Sequence, residues 1–287
     1  AIAAQQGGKW FVVVDGKHLE PFDRVDDPVF SPDGKRLAYR AEEGGKRFAV
    51  IDGQRGENLN LVSGITFSPD GKRVAYEAYD YRGFPSQYAV IDGAKGERVQ
   101  DLSRIVFSPD SRRVAYMARG DGADFLVLDG KRGEKLDEYS GSLRAPIFSP
   151  DSRRIAFLAR KDGKYCLVLD GKVIEGLESC YHFPMTFSPD SRHVAYVAQT
   201  TKFFAMVDGV NTGEWDVILS EIAFSPDGEH HAFTARDKAF RHFVVLDGKR
   251  REDFDGIGRF AFSPDGKKLA FGARKGRELW WKVLHVK

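Results

Sequence analysis

What this sequence lacks narrows the field first. Two cysteines, Cys166 and Cys180, are too few for the disulfide framework that holds a small secreted domain together. No apolar run approaches the roughly 20 residues needed to cross a bilayer. The start, AIAAQQGGKW, has neither the charged nor the apolar region of a signal peptide, so the expectation is a soluble chain without a membrane span. An excess of charge is missing too: 44 Lys and Arg nearly cancel 42 Asp and Glu. No net field therefore draws the protein onto nucleic acid or an anionic membrane. Signals of catalysis are equally scarce, with no G-x-S-x-G elbow, H-E-x-x-H helix, Walker loop or G-x-G-x-x-G after a strand. The 3.6-residue period of helices is also absent.

What is present is repetition. FSPDGKRLAY begins at Phe30, and close copies begin at Phe67, Phe107, Phe148, Phe187, Phe224 and Phe262. The spacings are 37, 40, 41, 39, 37 and 38 residues, and a period near forty rich in β-formers marks propeller blades. Each unit reads as four short strands; in the first, DPVF, KRLAYRA, RFAVI and ENLNL. Ser-Pro-Asp-Gly suits the first turn: Pro pre-sets φ, the Ser and Asp side chains accept backbone N–H groups, and Gly reaches positive φ. Ser111, Ser152 and Ser191 replace that Gly in three copies, which predicts slight strain there. Asp-Gly recurs from Asp15-Gly16 to Asp247-Gly248 and closes a hairpin between strands three and four. In strand two, Leu37 and Tyr39 point one way and Ala38 and Arg40 the other. Large residues of one sheet can thus press on small ones of the next, with the FSPD phenylalanine expected in that core at about 3–5 kcal/mol on truncation.

These motifs resemble the PD40, or WD40-like, β-propeller repeat of TolB-type bacterial proteins, which also occurs in the propeller domains of prolyl-oligopeptidase-like peptidases. The resemblance covers essentially the whole chain and carries over no catalytic residue. It implies an all-β protein: a single β-propeller over residues 1–287, built of four-stranded antiparallel blades, seven in number with eight as the alternative. It also suggests a bacterial extracytoplasmic, periplasmic setting. In the seven-blade reading HLEPF completes the last sheet as its outer strand, leaving WFVVVD surplus. Cys166 and Cys180 fall in one repeat, where two separate thiols are the reading and a single bond the alternative.

Antiparallel strands put the SPDG and Asp-Gly turns on one rim and the loops between strands two and three, with the crossovers, on the other. Length variation and aromatics gather on the second rim, where loops on a rigid scaffold carry function. The candidate binding residues are Tyr79, Tyr81, Arg82, Phe84, Tyr139, Arg144, Tyr181, His182, Phe183, Phe203, Phe204, Arg241 and His242, types that dominate interfaces. His193 and His230 occupy the Lys or Arg slot of other copies, so solvated strand-end histidines are expected rather than metal ligands. The turn aspartates read as caps rather than calcium ligands. No cofactor, metal or catalytic residue is expected. The reading is a non-enzymatic, monomeric scaffold or binding module for a protein or peptide. Two alternatives stand beside it: a hydrolase or lyase at the channel mouth using His182, Tyr181 and Arg144, and a symmetric or designed repeat scaffold without a ligand.

Overall fold

The computed structural model describes residues 1–81, 84, 86–137, 143–177 and 185–286, with the backbone alone for 175–177. The described residues form strands and turns with no helix. They make eight antiparallel sheets in chain order and divide into two compact units, Ala1–Pro146 and Ile147–Lys287.

In the first unit, Ile2–Gln6, Lys9–Val14 and Lys17–His18 form a three-stranded sheet. Phe22 N–H donates to Trp10 O (2.7 Å) and Leu19 N–H to Val12 O (2.9 Å), so HLEPF is the outer strand of this first sheet. That corrects the closure drawn from sequence. The tight turn at Asp15-Gly16 brings the segment back onto its own neighbour, and WFVVVD is flanked on both sides rather than surplus. The second sheet shows the full pattern in Arg24–Phe30, Leu37–Glu43, Lys46–Ile51 and Gln54–Arg55. Two strand limits differ from expectation. Strand one begins before DPVF and kinks at Asp27, whose φ is 52°. Strand four begins directly after Asp52-Gly53, breaks at Gly56, and rejoins only through a bridge from Arg47 to Leu59.

Packing follows the alternation of large and small residues. Tyr39, Phe48 and Val50 of the second sheet meet Val12 and Phe22 of the first. Ala38, on the opposite face, lies against Phe67 and Val74 of the third, and Ala75 and Ala89 lie against Tyr116 and Phe125 of the fourth. In the second unit Ala156 and Leu167 pack on Tyr196, Ala195 and Ala205 on Phe233 and Phe243, and Ala232 and Val244 on Phe271. The FSPD phenylalanines are less deeply placed than expected. Phe67 and Phe187 are buried but Phe30 is 39% exposed, because the deepest aromatic positions belong to strands two and three. The last sheet ends on Glu278–His285. Among the described residues this strand has one neighbour, Lys268–Lys275, and it leaves Leu279 and Trp281 largely exposed.

In both units the SPDG and Asp-Gly turns use up their own polar groups. Ser31 Oγ donates to Asp33 Oδ1 (2.6 Å) and accepts the Arg36 N–H (2.9 Å), and the same pair recurs at Ser68, Ser149, Ser188, Ser225 and Ser263. Hydroxyl donors, then backbone N–H groups, hold Asp33, Asp70, Asp151, Asp227 and Asp265 below the usual carboxylate range. Both residues of every Asp-Gly turn have positive φ, 52° and 78° at Asp52 and Gly53, as a two-residue hairpin of the primed type requires. Arg36 joins the two turns of its sheet through Asp52 (2.8 Å) and reaches Lys72 O of the next repeat (2.5 Å). Arg73 and Arg154 do the same. The Ser-for-Gly exchanges also find their reason here. A Cβ on Gly71 would come within 3.0 Å of Asp33 Oδ1, whereas Ser111, at φ 66°, takes the Asp70 N–H on its hydroxyl at 2.9 Å. The strain at the serine is offset by a bond between repeats.

Candidate binding loops

The loops at the other end of the strands are less regular in each unit. In the first unit the loop after Val74–Tyr79 is anchored by a carboxylate that sequence reading did not single out. Asp80 is 3% exposed and receives Arg98 Nη2 at 2.6 Å, while its N–H donates to Ser86 O at 2.8 Å. A buried charge paired in this way ties the strand end to Arg98, since losing either partner strands the other. The Tyr81 N–H donates to Asn60 Oδ1 (2.9 Å). From this base Tyr81 and Phe84 project, 64% and 79% exposed. Tyr79 is half-buried at the strand end, and burial raises its phenol pKa. Arg144 is half-buried further along the unit.

In the second unit the candidates separate. Phe203 is buried among Phe233 and Phe243, and Phe204 packs beside Tyr196 and Leu167. Both lie on the strand Phe203–Val207, so they are core residues facing opposite sides and leave the surface list. Arg241 is exposed and bonded to Asp237 (2.8 Å) and Asp253 (3.3 Å). Burial acts to raise the Asp237 pKa, but hydrogen bonds from Arg250 and Arg241 outweigh it and hold the carboxyl well below its usual range. His242 is half-buried and paired across the sheet with Arg236. Burial, then the charges of Arg236 and Arg274, hold its pKa below the usual imidazole range. Phe240, absent from the expected set, is 69% exposed with φ of 60°. Its flag in the sequence is the aromatic at the tip of RDKAFRH. Arg82, Tyr139, Tyr181, His182 and Phe183 lie outside the described residues, as does Cys180; Cys166 is buried.

The histidines of the turn rim are structural. His193 Nδ1 lies 2.6 Å from Asp208 and His230 Nδ1 2.8 Å from Asp247, the aspartate contacts that Arg makes elsewhere. Among the described residues no three His, Cys, Asp or Glu side chains gather to hold a metal ion, and no helix is long and apolar enough to cross a membrane. An opening of about 470 Å³ between the third and fourth sheets is floored by Ile91, Val114 and Tyr116. Its rim includes Arg73, Asp92 and Asp129, residues already paired within their sheets.

Sheets and turns of this kind define an all-β scaffold of repeated antiparallel sheets, four of the eight four-stranded. The chain is similar in fold to a crystal structure of a eukaryotic initiation factor, propeller-like in architecture, with TM-score 0.52 and 13% identity over 99% of this chain and 82% of that one. TolB from Acinetobacter baumannii aligns over 87% of this chain and 73% of its own, with 15% identity and TM-score 0.34, too weak a likeness to carry weight. In all, 518 chains of solved structure match, which marks a common scaffold and singles out no activity. No protein-family model matches the chain. No curated protein matches it either.

Proposed function

We propose that this chain is a non-enzymatic β-propeller in which the repeats supply the blades and the variable loops bind a protein or peptide. One observation supports this reading above the others: the two rims use their side chains differently. On the turn rim the Ser, Asp and Arg of the motif are bonded to one another. At the loop ends of the sheets large side chains stand exposed, Tyr81 and Phe84 in one unit and Phe240 in the other, and the N–H groups of Tyr81 and Phe240 are bonded. Aromatic rings on a rigid base lose little entropy when covered, which is why they serve as binding anchors. The family resemblance of the repeats extends the proposal to a bacterial extracytoplasmic setting, and the proposed chain acts as a monomer.

A peptide-display selection against the whole chain tests this. The selected peptides are expected to lose at least about tenfold in affinity to Y81A/F84A or to F240A, the cost of one aromatic anchor, and to be indifferent to K35E/K72E on the turn rim. Peptides that respond to K35E/K72E and ignore the aromatic variants would sink the proposal.

A further inference from the structure

Among the described residues of the second unit, two arginines and a histidine stand without counterions. Arg236 ends the strand His231–Arg236, and His242 begins His242–Leu246 directly opposite it. Directly paired residues of antiparallel strands share a sheet face. The next partner of His242 is Phe254. Just beyond Phe254 the chain crosses to the last sheet, and Arg274 arches over this crossover with Nη2 3.4 Å from Asp255 O and Nε close to Gly256. Both guanidinium groups are near enough to depress the imidazole pKa.

The neighbouring carboxylates are engaged elsewhere. Asp237 binds Arg241 and Arg250, Asp253 binds the same two arginines, and Asp255 Oδ2 accepts the Gly276 N–H at 2.6 Å. Among the described residues neither Arg236 nor Arg274 forms an ion pair. Two nitrogens are moreover shut off from solvent with no hydrogen-bond partner: Nε of Arg236 and Nδ1 of His242. Unmade bonds of this kind are costly, most of all on a charged group, and they leave hydrogen-bonding capacity on both side chains.

The adjoining turn supplies an apolar wall. Asp237 Oδ1 accepts the N–H groups of Ala239 and Arg241, each at 3.0 Å, and the Phe240 N–H donates to Asp237 O at 3.0 Å. This holds Phe240 in the left-handed region, where a bulky side chain is an outlier. Its ring stands 4.7 Å from the Arg236 guanidinium.

We infer that Arg236, His242 and Arg274 form an anion-receiving notch, walled by Phe240, that takes the side-chain carboxylate of an acidic peptide whose neighbouring apolar residue rests on the ring. The planar fork of a guanidinium matches a carboxylate, and the ring beside it favours a peptide over a bare ion. The inference rests on the reading of the loop rim as a peptide-binding surface and names the chemistry that this part of it recognises.

The test is an NMR titration of the whole chain, 13C-labelled at histidine, with acetyl-Gly-Leu-Glu-Leu-Gly-amide, its Gln counterpart, sodium acetate and inorganic phosphate. The Glu peptide is expected to move the His242 ring signals saturably and the Gln peptide to leave them in place. R274Q, at an exposed position, keeps the fold and weakens binding at least about tenfold, the loss of one charged hydrogen bond; R274K restores part of it. F240A weakens the peptide but not acetate. Equal responses to Glu and Gln peptides, a response to phosphate alone, or full affinity in R274Q would overturn the inference. Should display peptides respond to Y81A/F84A while the Glu peptide leaves His242 unmoved, the notch fails and the broader function stands. Should His242 respond while display peptides map to the turn rim, the reverse holds.

Discussion

Truncating Phe67 and Phe30 to alanine, one at a time, separates the effect of burial from the effect of the motif. Both open an FSPD turn in the first unit and are followed by the same six residues, SPDGKR. Phe67 is 8% exposed and packs against Ala38 and Val74, with the Arg36 guanidinium 5.2 Å from its ring. A buried phenylalanine removes some 150–250 Å² from water, worth about 4–6 kcal/mol at roughly 25 cal/mol per Å². Phe67→Ala keeps the Cβ but leaves a cavity between two sheets and gives up the cation–π contact, so a loss of about 3–5 kcal/mol is expected. Phe30 is 39% exposed, and its removal opens a surface dent that water fills; about 1–2 kcal/mol follows. Urea unfolding followed by far-UV circular dichroism, with common slopes, measures both. Losses equal within about 0.5 kcal/mol, the error of such comparisons, would show that the motif turn and not sheet contact sets the value of this residue.

Three further outcomes follow from the turn rim. Ser188→Ala, at a fully buried hydroxyl that donates to Asp190 and accepts the His193 N–H, should cost about 1–3 kcal/mol in the same assay, since a buried donor loses its partner. His193→Arg should raise the melting temperature, for about 0.5–1 kcal/mol, because Arg at this slot holds the aspartate and also reaches a carbonyl of the next repeat; a fall would contradict the bridging role. Acid should melt the protein early. Asp33, Asp70, Asp151, Asp227 and Asp265 have pKa values lowered by folding, so their stabilisation is complete above the unfolded value of about 3.9 and is lost as pH falls through the lower folded values. A melting temperature unchanged from pH 5 to pH 2 would rule that linkage out.

Much of the fold was legible because it is local and repeated. Asp-Gly between apolar runs dictates a hairpin wherever it stands, and the alternation of Leu37, Ala38 and Tyr39 tells which residues enter which core. Less could be read of the loop rim. Phe203 and Phe204 look like loop aromatics beside TTK, yet the strand starts at Phe203 and both are packed. Asp80 and Arg98 are eighteen residues apart, and nothing in either neighbourhood announces that one buries its charge against the other. Phe240 is marked in the sequence only as the aromatic at the tip of RDKAFRH, while its left-handed backbone comes from the turn that Asp237 closes.

The sequence by itself determined the repeat, the turn chemistry and the apolar pattern of each sheet, because these depend on residues a few positions apart. Tertiary structure decided which phenylalanines are buried, where the N-terminal strand finds its partners, and that Arg236 pairs with His242 across a sheet with no described carboxylate beside it. Such outcomes depend on which surfaces press together and on which charges remain unpaired once all the near ones have chosen, and that is settled only by the folded arrangement of distant segments.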